Sequence, residues 1–242
     1  MNPLILDTEN YVHPRTPVIV ALDFADEKQT LQFVRQLSPH LCQLKIGKEL
    51  FTASGRHLVE QLVHQGFKVF LDLKYHDIPN TVAAACKVAA EMGVWMVDMH
   101  ASGGQRMMEA AAEAVSHYQH RPFLIGVTVL TSMTQADLLQ TGVNRPIAEQ
   151  VMHLAGLAQQ SGLDGVVCSA QEATMLRAQL GQEWLLVTPG IRLSTTTTDD
   201  QRRIMLPKDA LAAGSSYLVM GRPITQSENP VLLLEQINQG LI

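Results

Sequence analysis

The sequence has little of what usually marks a compartment or a cofactor at sight. Cysteine occurs only three times, at Cys42, Cys86 and Cys168, widely spaced and odd in number. CxxC and metal-knuckle spacings are therefore absent, which excludes a disulfide scaffold and a structural zinc site and leads to the expectation of a reducing, cytoplasmic setting. The nine histidines form no HxH or HExxH pair, so no sequence mark of a catalytic metal is present. A GxGxxG dinucleotide fingerprint is also missing. No apolar run approaches the roughly 18 residues of a membrane span, and no apolar stretch with a cleavage site follows the polar start MNPLILDTENYVHPRTP, so no membrane is expected as a partner. An excess of positive charge is lacking too. The 18 Lys+Arg against 23 Asp+Glu give a net charge of -5, without the broad basic footprint of a nucleic-acid binder.

What is present is an ordinary globular balance in a chain of 242 residues, 46% hydrophobic and 17% charged, which argues against disorder and suffices for a continuous core. Eight aliphatic or β-branched runs of strand length recur: VIVALD, QLKIGK, KVFLDLK, VWMVDMHA, FLIGVTVLT, DGVVCSA, LLVTPGI and YLVMGR. Most are almost continuously apolar, as strands of a parallel sheet covered on both faces are. Helical segments lie between them. Asp26 is placed to cap one; Leu58, Val59, Leu62 and Val63 form a stripe that Gly66 ends; Asn80 precedes TVAAACKVAAEM. Ser132 and Gln135 have capping-box spacing, Ile147, Val151, Leu154 and Ala158 form another stripe, and Pro230 opens a last helix. Eightfold strand–helix alternation predicts an α/β fold, a single-domain (β/α)8 TIM barrel over residues 17–242, after a motif-free extension over residues 1–16. Periodicity alone does not show closure, so an open doubly wound sheet is the alternative. The polar stretch RLSTTTTDDQRR suits a mobile loop at the catalytic mouth.

Charge inside apolar strands is the anomaly. Asp23 ends the first strand, Lys45 lies in the second, and Asp72 and Lys74 close the third, where the two-residue period puts them on one face. In a barrel, such carboxyl-end positions carry the catalysis. Structural ion pairs plugging the barrel are the plainer reading of any one pair. Four charges converging on one end favour function, because unpaired buried charge is so costly. Asp77, three residues beyond Lys74, reads equally as a cap for the helix after IPN. Arg192 follows the seventh strand, and Gly221 and Arg222 follow the eighth. That joint placement points to a phosphate, held by backbone N–H groups and a bidentate fork. Thr131 and Ser132 read either as a helix cap or as ligand contacts. Gly103–Gly104 is a weak anion-site signal, and His76 and His100 fit loop or supporting positions.

DLKYHDIPNT, Asp72 to Thr81, resembles the signature of the orotidine 5'-phosphate decarboxylase family, Asp-x-Lys-x-x-Asp followed by Ile-Pro-Asn-Thr. VALD, LKIGK, HASGG, TVLTS, TPGIR and VMGRPI are similar to that family in the same order, from about Val18 to the last helix. Tyr75 stands where Phe is more usual. The resemblance implies a carboxy-lyase that converts orotidine 5'-phosphate to uridine 5'-phosphate in pyrimidine biosynthesis. It implies that Asp23 and Lys45 contact the ribose and that Lys45, Asp72, Lys74 and Asp77 form an alternating chain with Lys74 as proton donor. Asp77 and Thr81 would reach into the neighbouring subunit of a homodimer. Thr131 and Pro189 would frame the pyrimidine, Gln201 would bridge base and phosphate, and Arg192, Gly221 and Arg222 would hold the phosphate. No cofactor and no metal are expected. The chemistry then rests on preorganised charge: a lysine ammonium beside the reacting carbon, kept cationic by its carboxylates.

Two other readings fit the scaffold. A sugar-phosphate enzyme such as 3-keto-L-gulonate 6-phosphate decarboxylase shares Asp-x-Lys-x-x-Asp but stabilises an enediolate with Mg²⁺, so sensitivity to chelation separates it. The HDIPNT continuation and the late GRPI favour the pyrimidine enzyme. A non-catalytic phosphometabolite-binding barrel is the other, and the intact charged array argues against it.

Overall fold

The apolar runs become short strands, each buried on two faces. They are β1 (Val18–Ala21), β2 (Gln43–Gly47), β3 (Val69–Tyr75), β4 (Met96–His100), β5 (Phe123–Val127), β6 (Gly165–Val167), β7 (Leu185–Thr188) and β8 (Tyr217–Met220). The computed structural model describes residues 16–194 and 204–240. Of the expected N-terminal extension only Thr16 falls within that range, where its hydroxyl accepts from Gln43 Nε2 at 3.0 Å. Every strand runs parallel to its neighbours, and β8 pairs back onto β1 through Val18–Leu218, Ile19–Val219 and Val20–Met220. That last ladder closes the barrel and removes the open-sheet alternative.

Alternation along the strands divides the apolar residues into two cores. Ile19, Ala21, Phe70, Met96, Ile125, Leu185, Val187 and Val219 pack together inside the barrel. Val18, Val20, Leu44, Ile46, Val69 and Leu71 belong to a larger core shared with the surrounding helices. At the amino ends of the strands, Trp95 meets Phe123 and Tyr217 edge-on, with ring centroids 6.0 and 5.0 Å apart. The Lys68 ammonium sits 5.8 Å from the Trp95 ring centre. This aromatic floor leaves the carboxyl end as the part of the interior free for polar groups.

The helices largely follow their sequence signals. Asp26 caps α1 (Glu27–Val34), its Oδ1 accepting from Gln29 N at 2.8 Å, and Asn229 caps α10 (Pro230–Asn238). The stripe ending at Gly66 is the second half of α2 (Lys48–His64), whose first half buries Leu50 with Phe51 packed beside it and is offset by a kink at Gly55, φ 65°. Two expected caps are corrected. α3 (Pro79–Glu91) begins before Asn80, with Ile78 at the cap position, because Pro79 supplies a φ already suited to the first turn and has no N–H to satisfy. α5 (Gln135–Gln140) is capped by Thr134 rather than Ser132: Asp137 accepts from Thr134 N at 2.7 Å, and Thr134 Oγ1 accepts from Asp137 N at 3.3 Å. The remaining helices are α4 (Gln105–Val115), α6 (Ile147–Gln160), α7 (Ala173–Leu180), α8 (Pro207–Ala212) and α9 (Arg222–Thr225). All three cysteines are free and buried, and burial pushes the Cys42 and Cys86 thiols up to about 12.

The shortest strand, β6, begins at a glycine with no spare room. A Cβ on Gly165 would be driven into the backbone carbonyl of Leu185 on β7. Gly165→Ala should therefore lower stability by about 1–3 kcal/mol through forced strand displacement. Urea unfolding followed by circular dichroism measures this, and an unchanged midpoint would show slack in the β6–β7 ladder.

Candidate active site

The carboxyl ends of the strands surround a cavity of about 310 Å³. β1 leads into Asp23, β2 carries Lys45, and β3 carries Asp72 and Lys74. The segments after β5, β7 and β8 bring Thr131 and Ser132, Pro189 and Arg192, and Gly221 and Arg222 to the same cavity. Of the site residues expected from sequence, Asp23, Lys45, Asp72, Lys74, Thr131, Pro189, Arg192, Gly221 and Arg222 line the cavity in two zones, with carboxylates and lysines on the β1–β3 side and the two arginines beyond β7 and β8; Asp77 and Thr81 do not. Thr131 is buried and lines the cavity, so with Thr134 capping α5 the ligand-contact reading of Thr131 is the one with geometric support.

The charges alternate in space. Lys45 Nζ lies 3.4 Å from Asp23 Oδ1 and 3.1 Å from Asp72 Oδ2, and Lys74 Nζ contacts Asp72 Oδ1. On its far side Lys74 Nζ is 3.8 Å from Oδ2 of Asp98 on β4. Burial opposes the Lys45 ammonium, but Asp72 and Asp23 outweigh burial and raise its pKa above the ordinary lysine value. Burial likewise opposes the Asp72 carboxylate. Lys45, a hydrogen bond with Asp98, and Lys74 together hold it well below the usual carboxylate range. Asp98 behaves oppositely: complete burial, then the neighbouring Asp72, push its pKa well above that range. One ionised carboxylate between two ammonium groups, with an acid behind it, is the resulting electrostatic pattern.

Asp98 is the member of this charged cluster that the sequence reading passed over. The signal was there, since VWMVDMH carries a carboxyl inside an apolar strand just as LKIGK carries an ammonium.

The arginine zone is built from ordered backbone. Ile191 forms an isolated parallel bridge with Met205, and Arg192 N donates to Met205 O at 3.0 Å. The Arg192 side chain is itself buried and donates from Nη1 to Ile191 O at 2.9 Å. Arg222 opens α9 directly after Gly221. Gln201 lies outside the described residues.

Asp77 and Thr81 do not line this cavity. Both are exposed at the start of α3, beside Ile78, which is 67% exposed. Asp77 Oδ1 accepts from Ile78 N at 2.6 Å, a bond to the adjacent residue, and α3 has no side-chain cap hydrogen bond, so Asp77 does not cap it. His76 and His100 pack with their ring centroids 5.4 Å apart and tilted by 41°, and burial followed by the charge of His76 depresses His100 to about 4, so His100 is neutral at pH 7. Among the described residues no cluster of three or more His, Cys, Asp or Glu side chains is arranged to hold a metal ion, and no helix is long and apolar enough to cross a membrane.

Known proteins share both the sequence and the shape. Residues 16–237 match the orotidine 5'-phosphate decarboxylase / HUMPS family. A Neisseria meningitidis serogroup C (strain 053442) protein named orotidine 5'-phosphate decarboxylase is 70% identical over 240 residues, 99% of this chain and 97% of its own length. One of the same name from Laribacter hongkongensis (strain HLHK9) is 66% identical over 226 residues, 93% of each chain. The crystal structure of orotidine 5'-phosphate decarboxylase from Lactobacillus acidophilus superposes with a TM-score of 0.83 at 40% identity, covering 93% of this chain and 98% of that one. With its charged array, its paired arginines and this full-length similarity, the chain belongs to the orotidine 5'-phosphate decarboxylase family.

Proposed function

We propose that this protein decarboxylates orotidine 5'-phosphate to uridine 5'-phosphate, a step of pyrimidine nucleotide synthesis, with Lys74 as proton donor and no cofactor. The observation that carries the reading is the Asp23–Lys45–Asp72–Lys74 array opening into the same cavity as Arg192 and Arg222. A nucleoside monophosphate has the matching polarity, with a dianionic phosphate at one end and a base to be modified at the other.

The C6–carboxylate bond breaks with its electron pair left on C6, a ring carbon without an adjacent electron sink. The Lys74 ammonium faces that developing charge and gives its proton to C6, and the resulting amine regains a proton from solvent. Asp72 and Lys45 are already in place before reaction, so little reorganisation accompanies charge development. Asp72 beside the departing carboxylate also disfavours the ground state. Asp23 and Lys45 take the ribose hydroxyls, while Thr131 and Pro189 flank the pyrimidine.

Arg192, Gly221 and Arg222 bind the phosphate, whose remote binding energy favours closure and exclusion of water, with Gln201 linking phosphate to base. The working form is a cytoplasmic homodimer in which Asp77 and Thr81 complete the neighbouring site. Their exposure outside their own cavity supports that assignment.

Lys74→Ala should lower kcat by about 10³-fold or more, as removal of an obligatory proton donor does, while uridine 5'-phosphate still binds. The fall in ultraviolet absorbance on incubation with orotidine 5'-phosphate is the assay, and substantial turnover by the variant would remove Lys74 from this role. Arg222→Ala should cost about 2–4 kcal/mol in kcat/KM on the phosphorylated substrate, the range for truncating one side of a charged pair, and almost nothing on orotidine itself. Equal losses on both substrates would refute the phosphate assignment. Activity abolished by a chelator and restored by Mg²⁺ would instead favour the sugar-phosphate reading.

A further inference from the structure

Lys74 is the one non-glycine residue with positive φ among the described residues, at 51°. A left-handed backbone at such a residue costs about 1–2 kcal/mol and persists only where surrounding structure imposes it. The imposing structure is the β3–β4 edge. Leu71 pairs with Val97, but the next partner pair is Tyr75 with Met99, so β3 holds a bulge that contains both Asp72 and Lys74. The bulge would leave the Lys74 N–H without a strand partner. Asp98 supplies one: its Oδ1 accepts from Lys74 N at 2.8 Å.

The other oxygen of Asp98 is the telling atom. Oδ2 is fully buried, lies 3.8 Å from Lys74 Nζ and finds no donor within hydrogen-bond distance. A buried carboxylate oxygen left this way is costly. An acid oxygen is not, because it donates instead, and the acceptor beside it is the Asp72 carboxylate. We propose that Asp98, in its acid form, is a positioning residue for Lys74: one oxygen fixes the left-handed backbone of Lys74 and the other holds Asp72, the counter-ion of the Lys74 ammonium.

The ionisable groups facing Asp98 are Asp72, Lys74 and Tyr75 from β3 and Cys86 from α3. Tyr75 and Cys86, both pushed up to about 12 by burial, are neutral at working pH, so they neither repel nor neutralise it. With Asp98 uncharged, Lys74 answers to one carboxylate rather than two. An N–H of the ammonium is then left to aim into the cavity.

The inference rests on the Lys74 reading given above, and the variants separate the two. Asp98→Asn keeps an acceptor for Lys74 N–H and a donor for Asp72 in the same planar shape. Asp98→Ala removes both. Steady-state kinetics on orotidine 5'-phosphate, uridine 5'-phosphate affinity by calorimetry and melting temperature are measured for each, beside Lys74→Ala.

Asp98→Ala should lose about 10²-fold in kcat, the scale of a misplaced reacting group, with KM and product affinity changed less than about threefold. Asp98→Asn should restore kcat to within about threefold of the parent from pH 6 to 9, since an amide does not titrate there. Should Asp98→Ala fail to fold, Asp98→Asn still decides. An Asp98→Asn enzyme as impaired as Lys74→Ala would overturn the acid-form role. Parental kcat in Asp98→Ala with Lys74→Ala inactive would overturn the positioning role alone, whereas an active Lys74→Ala would overturn the reading beneath it.

Discussion

The Asp72 carboxylate is the constraint on which the site is arranged. It lies between two ammonium groups and is largely buried, so it is tolerable only as an ion whose charge is matched on both sides. Lys45 has a further anionic partner in Asp23, whereas Lys74 depends on Asp72 for its charge and has the buried Asp98 acid behind it at 3.8 Å. Removing any member leaves a neighbour uncompensated in a medium that screens poorly. The array therefore behaves as a unit, and its geometry is held by electrostatics as much as by packing.

The barrel makes that unit affordable. Parallel pairing brings the ends of β1, β2, β3 and β4 side by side, so residues 23, 45, 72, 74 and 98 meet without any long loop. Inward-facing aliphatic side chains support them from below, and the shared helical core fixes the strands from outside. The arginines come from the other half of the ring. A ligand long enough to bridge the halves is needed to engage both.

Much of this was legible in the sequence. The strands announced themselves because parallel strands are apolar on both faces, and the charges within them stood out against that background. The two-residue period correctly put Asp72 and Lys74 on one side, although the backbone between them is bulged rather than regular. Periodicity carries no information about a bulge, so the left-handed Lys74 was invisible. Asp98 was legible by the same criterion as Lys45, since each sits in the middle of a short apolar strand, but VWMVDMHA was read only as a strand. The caps of α3 and α5 were misplaced because Pro79 and Thr134 each offer a start one or two residues from the more familiar signal. Closure was expected from the eightfold alternation but not proven by it, since it depends on a β1–β8 ladder between residues far apart in the chain.

The aromatic floor has its own consequence for traffic. Trp95, Phe123 and Tyr217 stop the interior at the amino ends of the strands, with the Lys68 ammonium against the Trp95 ring. The cavity beside Lys74 therefore opens only upward, past Arg192 and Arg222. Under the proposed function, entry and exit would share that one doorway, and a small neutral product would slip out ahead of a phosphorylated one held by the arginines.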